Sequence, residues 1–221
     1  PGYERSLGVA SCTACTAGTH QARLATECAA CAPGKYTHSN GSVNCFDCAA
    51  GAHSPTPGAG ECTACPKGTF AAAIESVTCD SCPRGGYCPD AGATSALVFR
   101  QCPPGTYNPD RGSSSPEDCR ACPAGKANPV PGSASVDACE PCLPGTFAAE
   151  AGQAACDLCA AGKYAGPGAV HCDTCGAGNF SANVLSCEPC QLGEFCTGGQ
   201  PSGKRCPLLH STTMRRGAAH E

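Results

Sequence analysis

Cysteines written C-x-x-C recur along this chain at near-constant intervals, ten such pairs among 24 cysteines. Leu, Ile, Val and Phe together also number 24 of the 221 residues, and there is no Trp. That lies well under the ~20% apolar content below which a chain rarely folds by burial alone. The cysteine density, in contrast, is that of a disulfide scaffold. The chain is expected to be stapled rather than packed.

Glycine (28), proline (20) and a charged fraction of only 14% leave no material for one large core. Several small units of roughly 30 to 40 residues, each needing cross-links, fit better. The formal charge is −4 and the 14 Lys and Arg are scattered, so no basic face awaits nucleic acid. No run approaches the ~18 apolar residues of a membrane span. Pro1 begins in mid-pattern, and the chain is expected to be a piece of something longer. An even cysteine count at this density places it in oxidising, extracellular space. Two N-glycosylation sequons, Asn40-Gly41-Ser42 and Asn179-Phe180-Ser181, agree with a secretory route and N-linked glycans.

Cutting after each second cysteine gives twelve segments of 15 to 20 residues, eleven of which open on one phrase. Cys31-Ala32-Pro33-Gly34-Lys35-Tyr36 and Cys102-Pro103-Pro104-Gly105-Thr106-Tyr107 show it. Glycine stands three residues after the cysteine in all eleven. Pro before it favours position i+1 of a type I turn, with Gly at i+3. Two residues beyond that Gly comes Tyr36, Phe70, Tyr87, Tyr107, Phe147, Tyr164, Phe180 or Phe195; His20 and His53 take the same slot. The expectation is a ring laid over a neighbouring disulfide.

Two irregular segments, at Cys88 and Cys196, set the frame. Grouping cysteines in fours from Cys12 confines each break to one module. This gives residues 1–11 as the end of a preceding repeat, then modules at 12–44, 45–78, 79–118 (variant), 119–155, 156–186 and 187–206 (variant), with 207–221 as linker or tail. Module starts at 12, 45 and 79 recur at 119, 156 and 187, so the six read as two copies of a three-module unit.

Four cysteines allow three pairings, and sequence does not choose among them. First-with-third and second-with-fourth is the pairing adopted as the expectation. It joins Cys12 to Cys28, Cys15 to Cys31, Cys45 to Cys62, Cys48 to Cys65, Cys79 to Cys88 and Cys82 to Cys102. In the second half it joins Cys119 to Cys139, Cys122 to Cys142, Cys156 to Cys172, Cys159 to Cys175, Cys187 to Cys196 and Cys190 to Cys206. Regular structure is expected to be limited to short two-stranded β pieces, with at most two helical turns over Thr69 to Val77.

C-x-x-C followed some dozen residues later by C-x-x-C is also zinc-ribbon spacing. Against zinc stand the compartment, the Gly-aromatic phrase and the two variant modules, which would give distorted ligand sets. A redox C-x-x-C needs a thiol pKa depressed by a helix N-terminus or nearby cations, yet Asp47, Asp80, Glu140, Asp157, Asp173 and Glu188 lie there or beside it. His171 reads as exposed. No nucleophile, base and oxyanion donor gather in one place. No enzyme, cofactor or metal is expected. Ser54-Pro55-Thr56-Pro57 and Ser113-Ser114-Ser115-Pro116 suit O-linked sugars or plain loops, and Arg215-Arg216 a processing site or plain tail.

The phrase C-x-x-C-P-x-G-T-[YF] with variant C-P-x-G-x-Y-C units resembles the ephrin-receptor-like cysteine-rich repeat, over roughly residues 12 to 206. That family is similar to EGF-like modules and to the cysteine-rich repeats of tumour-necrosis-factor receptors. The resemblance implies a small disulfide-rich fold: a linear array of extracellular modules, elongated in shape. Long arrays of this kind also resemble surface proteins of protists and algae, including mastigoneme-like flagellar glycoproteins. The expected function is a structural rod or filament segment on a cell or flagellar surface, partnered by copies of itself, neighbouring repeats of a longer chain or other extracellular proteins. The alternative is a receptor or adhesion ectodomain gripping a protein ligand.

Overall fold

The computed structural model describes residues 3–5, 12–21, 27–95 and 98–206. The tail at 207–221, Arg215-Arg216 and most of residues 1–11 lie outside them. Among the described residues there are 24 strands of two or three residues, joined as twelve separate antiparallel pairs. Helix is confined to single 3-10 turns such as Pro116–Asp118 and Val136–Ala138. The stretch from Thr69 to Val77 forms no helix and begins with a strand, Thr69–Phe70.

One repeat explains the rest. Cys31 leads into a turn in which Lys35 N–H donates to Ala32 O at 3.0 Å. Pro33 therefore sits at i+1, and Gly34 at i+2 with φ +81°. A positive φ at i+2 marks a type II turn, which only Gly adopts cheaply. The expected type I turn is corrected, because Gly is needed one position earlier than i+3. All eleven phrase glycines share this conformation, with φ between +80° and +87°. Where Thr follows Gly, its hydroxyl donates to the same carbonyl, as in Thr69 Oγ1 to Pro66 O at 2.7 Å. The turn then enters strand Lys35–Tyr36, which pairs with Phe46–Asp47.

The two residues inside each C-x-x-C are thus a strand, and this decides the disulfides. Side chains three apart on an extended chain face opposite ways. Cys45 turns back to Cys31 while Cys48 turns forward to Cys62. Eleven bridges are formed among the described residues. In the first half they are Cys15–Cys28, Cys31–Cys45, Cys48–Cys62, Cys65–Cys79 and Cys82–Cys88. In the second they are Cys102–Cys119, Cys122–Cys139, Cys142–Cys156, Cys159–Cys172, Cys175–Cys187 and Cys190–Cys196. Cα separations run from 5.6 to 6.2 Å, inside the normal range.

Every expected pair is therefore overturned. Cys28, the expected partner of Cys12, is held by Cys15; Cys190, the expected partner of Cys206, is held by Cys196. Bridges such as Cys31–Cys45, Cys65–Cys79 and Cys142–Cys156 join cysteines of adjacent four-cysteine groups. The covalent unit is one loop with one cystine.

The variant repeats obey the same logic. Phe99 and Gly203 stand where the first cysteine of a C-x-x-C is missing. The displaced cysteine moves to the position just after the ring, as Cys88 and Cys196, both fully buried. In other repeats that position is the buried Gln21, Thr37, Ser54, Ala71, Asn108, Asn128, Ala148, Ala165 or Ser181. The core is this column plus the second cysteine of each pair, from Cys15 to Cys190. The phrase aromatics are only half-buried.

The described chain divides into two compact units, Pro1–Gln101 with Asp110–Asp118 and Cys102–Pro109 with Cys119–Glu221. Within each, successive repeats are stitched by backbone. In the first, Gly34 N–H donates to Ser54 O at 2.8 Å, Ser54 N–H to Ser76 O at 3.1 Å and Gly58 N–H to Cys31 O at 2.8 Å. In the second, Gly125 N–H donates to Ala148 O at 2.9 Å, Ala148 N–H to Ala169 O at 3.0 Å and Gly152 N–H to Cys122 O at 2.8 Å. The buried column residue thus gives its carbonyl to the repeat before it and its N–H to the repeat after it. That accounting satisfies the backbone of a core with almost no aliphatic bulk.

Candidate binding surface

Inside most C-x-x-C pairs, and in the matching place of the two variant repeats, the strand faces solvent at both residues. Phe46–Asp47, Asp80–Ser81, Arg100–Gln101, Glu140–Pro141, Asp157–Leu158 and Lys204–Arg205 are all exposed. The acidic residues that argued against redox chemistry belong to this exposed row or flank it. Leu143 (74% exposed), Leu158 (71%) and Leu192 (71%) add apolar points in the second unit.

His20 and His53 show what the ring slot touches. His20 Nδ1 lies 3.2 Å from Cys45 Sγ, and His53 Nδ1 lies 3.2 Å from Cys79 Sγ. Each ring therefore rests on the cystine of the next repeat, as the packing reading expects. The groups His20, Cys31, Cys45 and His53, Cys65, Cys79 are compact enough to suit a cation. Their sulfurs are spent in disulfides, however, and a cystine offers no thiolate for a metal. His171 is 72% exposed beside Asp173, its Nε2 at 3.2 Å.

Ala127 occupies the ring slot before the Cys142–Cys156 cystine, and no ring covers that bridge from there. A groove of about 300 Å³ opens at this place, lined by Ala127, Pro129, Pro141, Leu143, Cys142 and Cys156 among others. Beside it, Asn128 is 1% exposed but satisfied. Its Nδ2 donates to Thr106 O (3.1 Å) and Ser133 Oγ (2.9 Å), and its Oδ1 accepts from Val130 N–H at 3.1 Å.

In the first unit, Tyr36, His38 and Phe46 form a ring cluster with centroids 6.1 to 6.4 Å apart. A second groove, of about 410 Å³, is lined by His38, Phe46, Val43 and the loop holding Asn40. Asn40 is exposed, whereas Asn179 lies half-buried in strand Asn179–Phe180. Nearby, Lys35 Nζ bonds Asp47 Oδ1 across the hairpin and Glu75 Oε1, two loops on, at 2.8 Å. Donating to Asp47, then to Glu75, raises the Lys35 pKa, and accepting from Lys35 lowers that of Asp47. Of the loops suited to O-linked sugars, Ser54 and Ser113 are buried.

Sequence reasoning missed a second row of glycines, Gly41, Gly58, Gly92, Gly112, Gly132, Gly152 and Gly168, all at positive φ. They carry the loops that seat on the preceding repeat. Their signal was present, as one glycine in the latter half of most loops.

Residues 51–97 match the family described as tyrosine-protein kinase ephrin type A/B receptor-like. The match covers one full loop, its neighbour and the variant turn at Cys82–Cys88, and the same geometry recurs through the described repeats. A comparison with curated proteins gives no match. Residues 51–97 are thus similar to an ephrin-receptor-like cysteine-rich repeat. No helix among the described residues is long and apolar enough to cross a membrane.

Proposed function

We propose that this chain is a structural extracellular segment, a stiff, elongated piece of a rod or filament on a cell or flagellar surface. The observation that carries the reading is the backbone stitching between successive repeats. Up to three main-chain bonds at a junction, each worth about 1 kcal/mol net, couple loops that are already closed by cystines. Beads on a flexible string would lack those bonds. Repeats joined only to near neighbours add length without adding fold complexity. The exposed C-x-x-C strands then supply lateral surface for copies of the chain or for other extracellular proteins. Electron microscopy of native surface material, labelled with an antibody to this chain, tests the proposal. Label along continuous fibres is expected; isolated monomers bound to a distinct ligand would overturn it.

One observation favours a receptor or adhesion ectodomain instead. The apolar groove at Ala127 with exposed Leu143 is the kind of concavity that takes a partner's side chain.

A further inference from the structure

The C-x-x-C strand position held by Phe46 is elsewhere small or charged: Ala29, Thr63, Asp80, Arg100, Glu140, Asp157. Phe46 is 54% exposed, yet it is not solitary. Tyr36 and His38 stand 6.1 and 6.4 Å from it, centroid to centroid, and the His38 and Phe46 rings are stacked 25° from parallel. The same groove is lined by Ser39, Asn40, Ser42 and Asn44. An aromatic platform edged by amides and hydroxyls is complementary to a pyranose ring. The ring stacks its C–H face on aromatic carbon and turns its hydroxyls to polar groups.

Asn40 is itself the first residue of a sequon. Its Oδ1 accepts from Ala17 N–H at 3.0 Å, which fixes the amide by its oxygen and commits none of the Nδ2 hydrogens. Gly41 N–H donates to Cys15 O at 2.7 Å, so the loop carrying the acceptor is seated on the preceding repeat. A sugar attached at Nδ2 leaves both bonds intact.

We propose that Asn40 carries an N-linked glycan whose first N-acetylglucosamine lies over the His38 and Phe46 rings, making the aromatic cluster the seat of the chain's own sugar. In the transfer, Asn40 Nδ2 bonds to the anomeric carbon of a lipid-pyrophosphate-linked oligosaccharide. The bond from that carbon to the pyrophosphate oxygen breaks, the lipid pyrophosphate leaves, and one Nδ2 proton passes to base. The proposal rests on the extracellular reading. Asn179 differs in lying half-buried within a strand.

The test uses the full chain secreted from a eukaryotic host in an Asn179→Gln background, so that Asn40 is the remaining sequon. Material is made with and without an inhibitor of lipid-linked oligosaccharide synthesis. Glycopeptide mapping is expected to place N-acetylhexosamine on Asn40. The unglycosylated form is expected to melt lower by about 2–4 °C, the shift of a modest contact in a chain of this size. In Phe46→Thr that gap is expected to close. A secreted, disulfide-bonded protein unmodified at Asn40 would overturn the site and leave the extracellular reading standing. A glycan whose Tm gap is unchanged in Phe46→Thr would overturn the platform. Retention inside the cell with reduced cysteines would overturn both readings.

Discussion

Gly18 presses its α-carbon against the carbonyl of Gly58, two loops further on, so closely that a Cβ on Gly18 would run into the oxygen. Gly51 meets Gly92, Gly68 meets Gly112, Gly105 meets Gly152 and Gly125 meets Gly168 in the same way. The phrase glycine is therefore needed twice, once for its positive φ in the turn and once for this approach of backbone to backbone. The first need is local and the second belongs to the stack.

Two substitutions separate these needs. Gly193 has φ +84° with nothing within 4 Å of a Cβ, so Gly193→Ala is expected to cost only the left-handed penalty of about 1–2 kcal/mol. Gly105→Ala has the same φ penalty and a collision with the Gly152 carbonyl. Thermal unfolding without reductant is expected to show a clearly larger loss for Gly105→Ala. Equal losses would mean the close approach contributes nothing.

Non-reducing proteolysis with mass spectrometry checks the bridges. Peptides joining Cys31 to Cys45 and Cys142 to Cys156 are expected. A fragment joining Cys15 to Cys31 or Cys122 to Cys142 would refute the consecutive pattern. Removing Cys48–Cys62 by double Ser substitution opens a loop of separation 14 and is expected to cost about 3 kcal/mol in the chain-entropy account.

Among the described residues, Glu75 (φ 59°) and Val184 (φ 58°) stand in the place of the second-row glycine. A β-branched residue in this region is strained. Val184→Gly is expected to stabilise the chain by about 1 kcal/mol, read as a rise in Tm. Glu75→Gly gains the same relief but loses the bond to Lys35, so its net rise is expected to be smaller.

The Lys35–Asp47–Glu75 group makes stability depend on pH at both ends. Asp47 is depressed from its ordinary 3.8, so its contribution is present above that value and is lost as pH falls through the lower, folded one. Lys35 is raised from 10.5, so its contribution is complete below that value and is lost as pH rises through the higher one. The Tm gap between wild type and Asp47→Asn is expected to be widest between these limits and to close in acid. A gap that stays constant into strong acid would remove the ion pair from the account. Because the group is exposed, the effect is expected to be small and to shrink in salt.

Ala127→Phe supplies the missing ring over Cys142–Cys156. The added ring is expected to fill the groove and raise Tm without altering the bridges. If a partner docks there, the same variant is expected to abolish its binding in a pull-down, while Leu192→Ser, at a separate exposed leucine, leaves it intact.

Much of the repeat is legible before any coordinates. The phrase from Cys65 to Phe70 announces a glycine turn, a short strand and a ring. Cys88 and Cys196 announce paired exceptions in equivalent places. The grooves are legible only in part: Ala127 stands out as a ring slot without a ring, and Asn40 as a sequon. Nothing local reveals that Asn40 shares a groove with His38 and Phe46.

Cysteine spacing, glycine placement and the poverty of aliphatic side chains determine by themselves that the chain is a stapled tandem repeat with little regular structure. Those are local demands, on turn geometry and on burial. Which sulfur meets which was left to the tertiary structure. Once the two residues inside C-x-x-C become a strand, its flanking cysteines must face opposite ways, one closing the loop behind and the other opening the loop ahead. That choice depends on a hairpin partner some 10 residues distant and on a neighbour two loops away. Pairwise spacing carries neither.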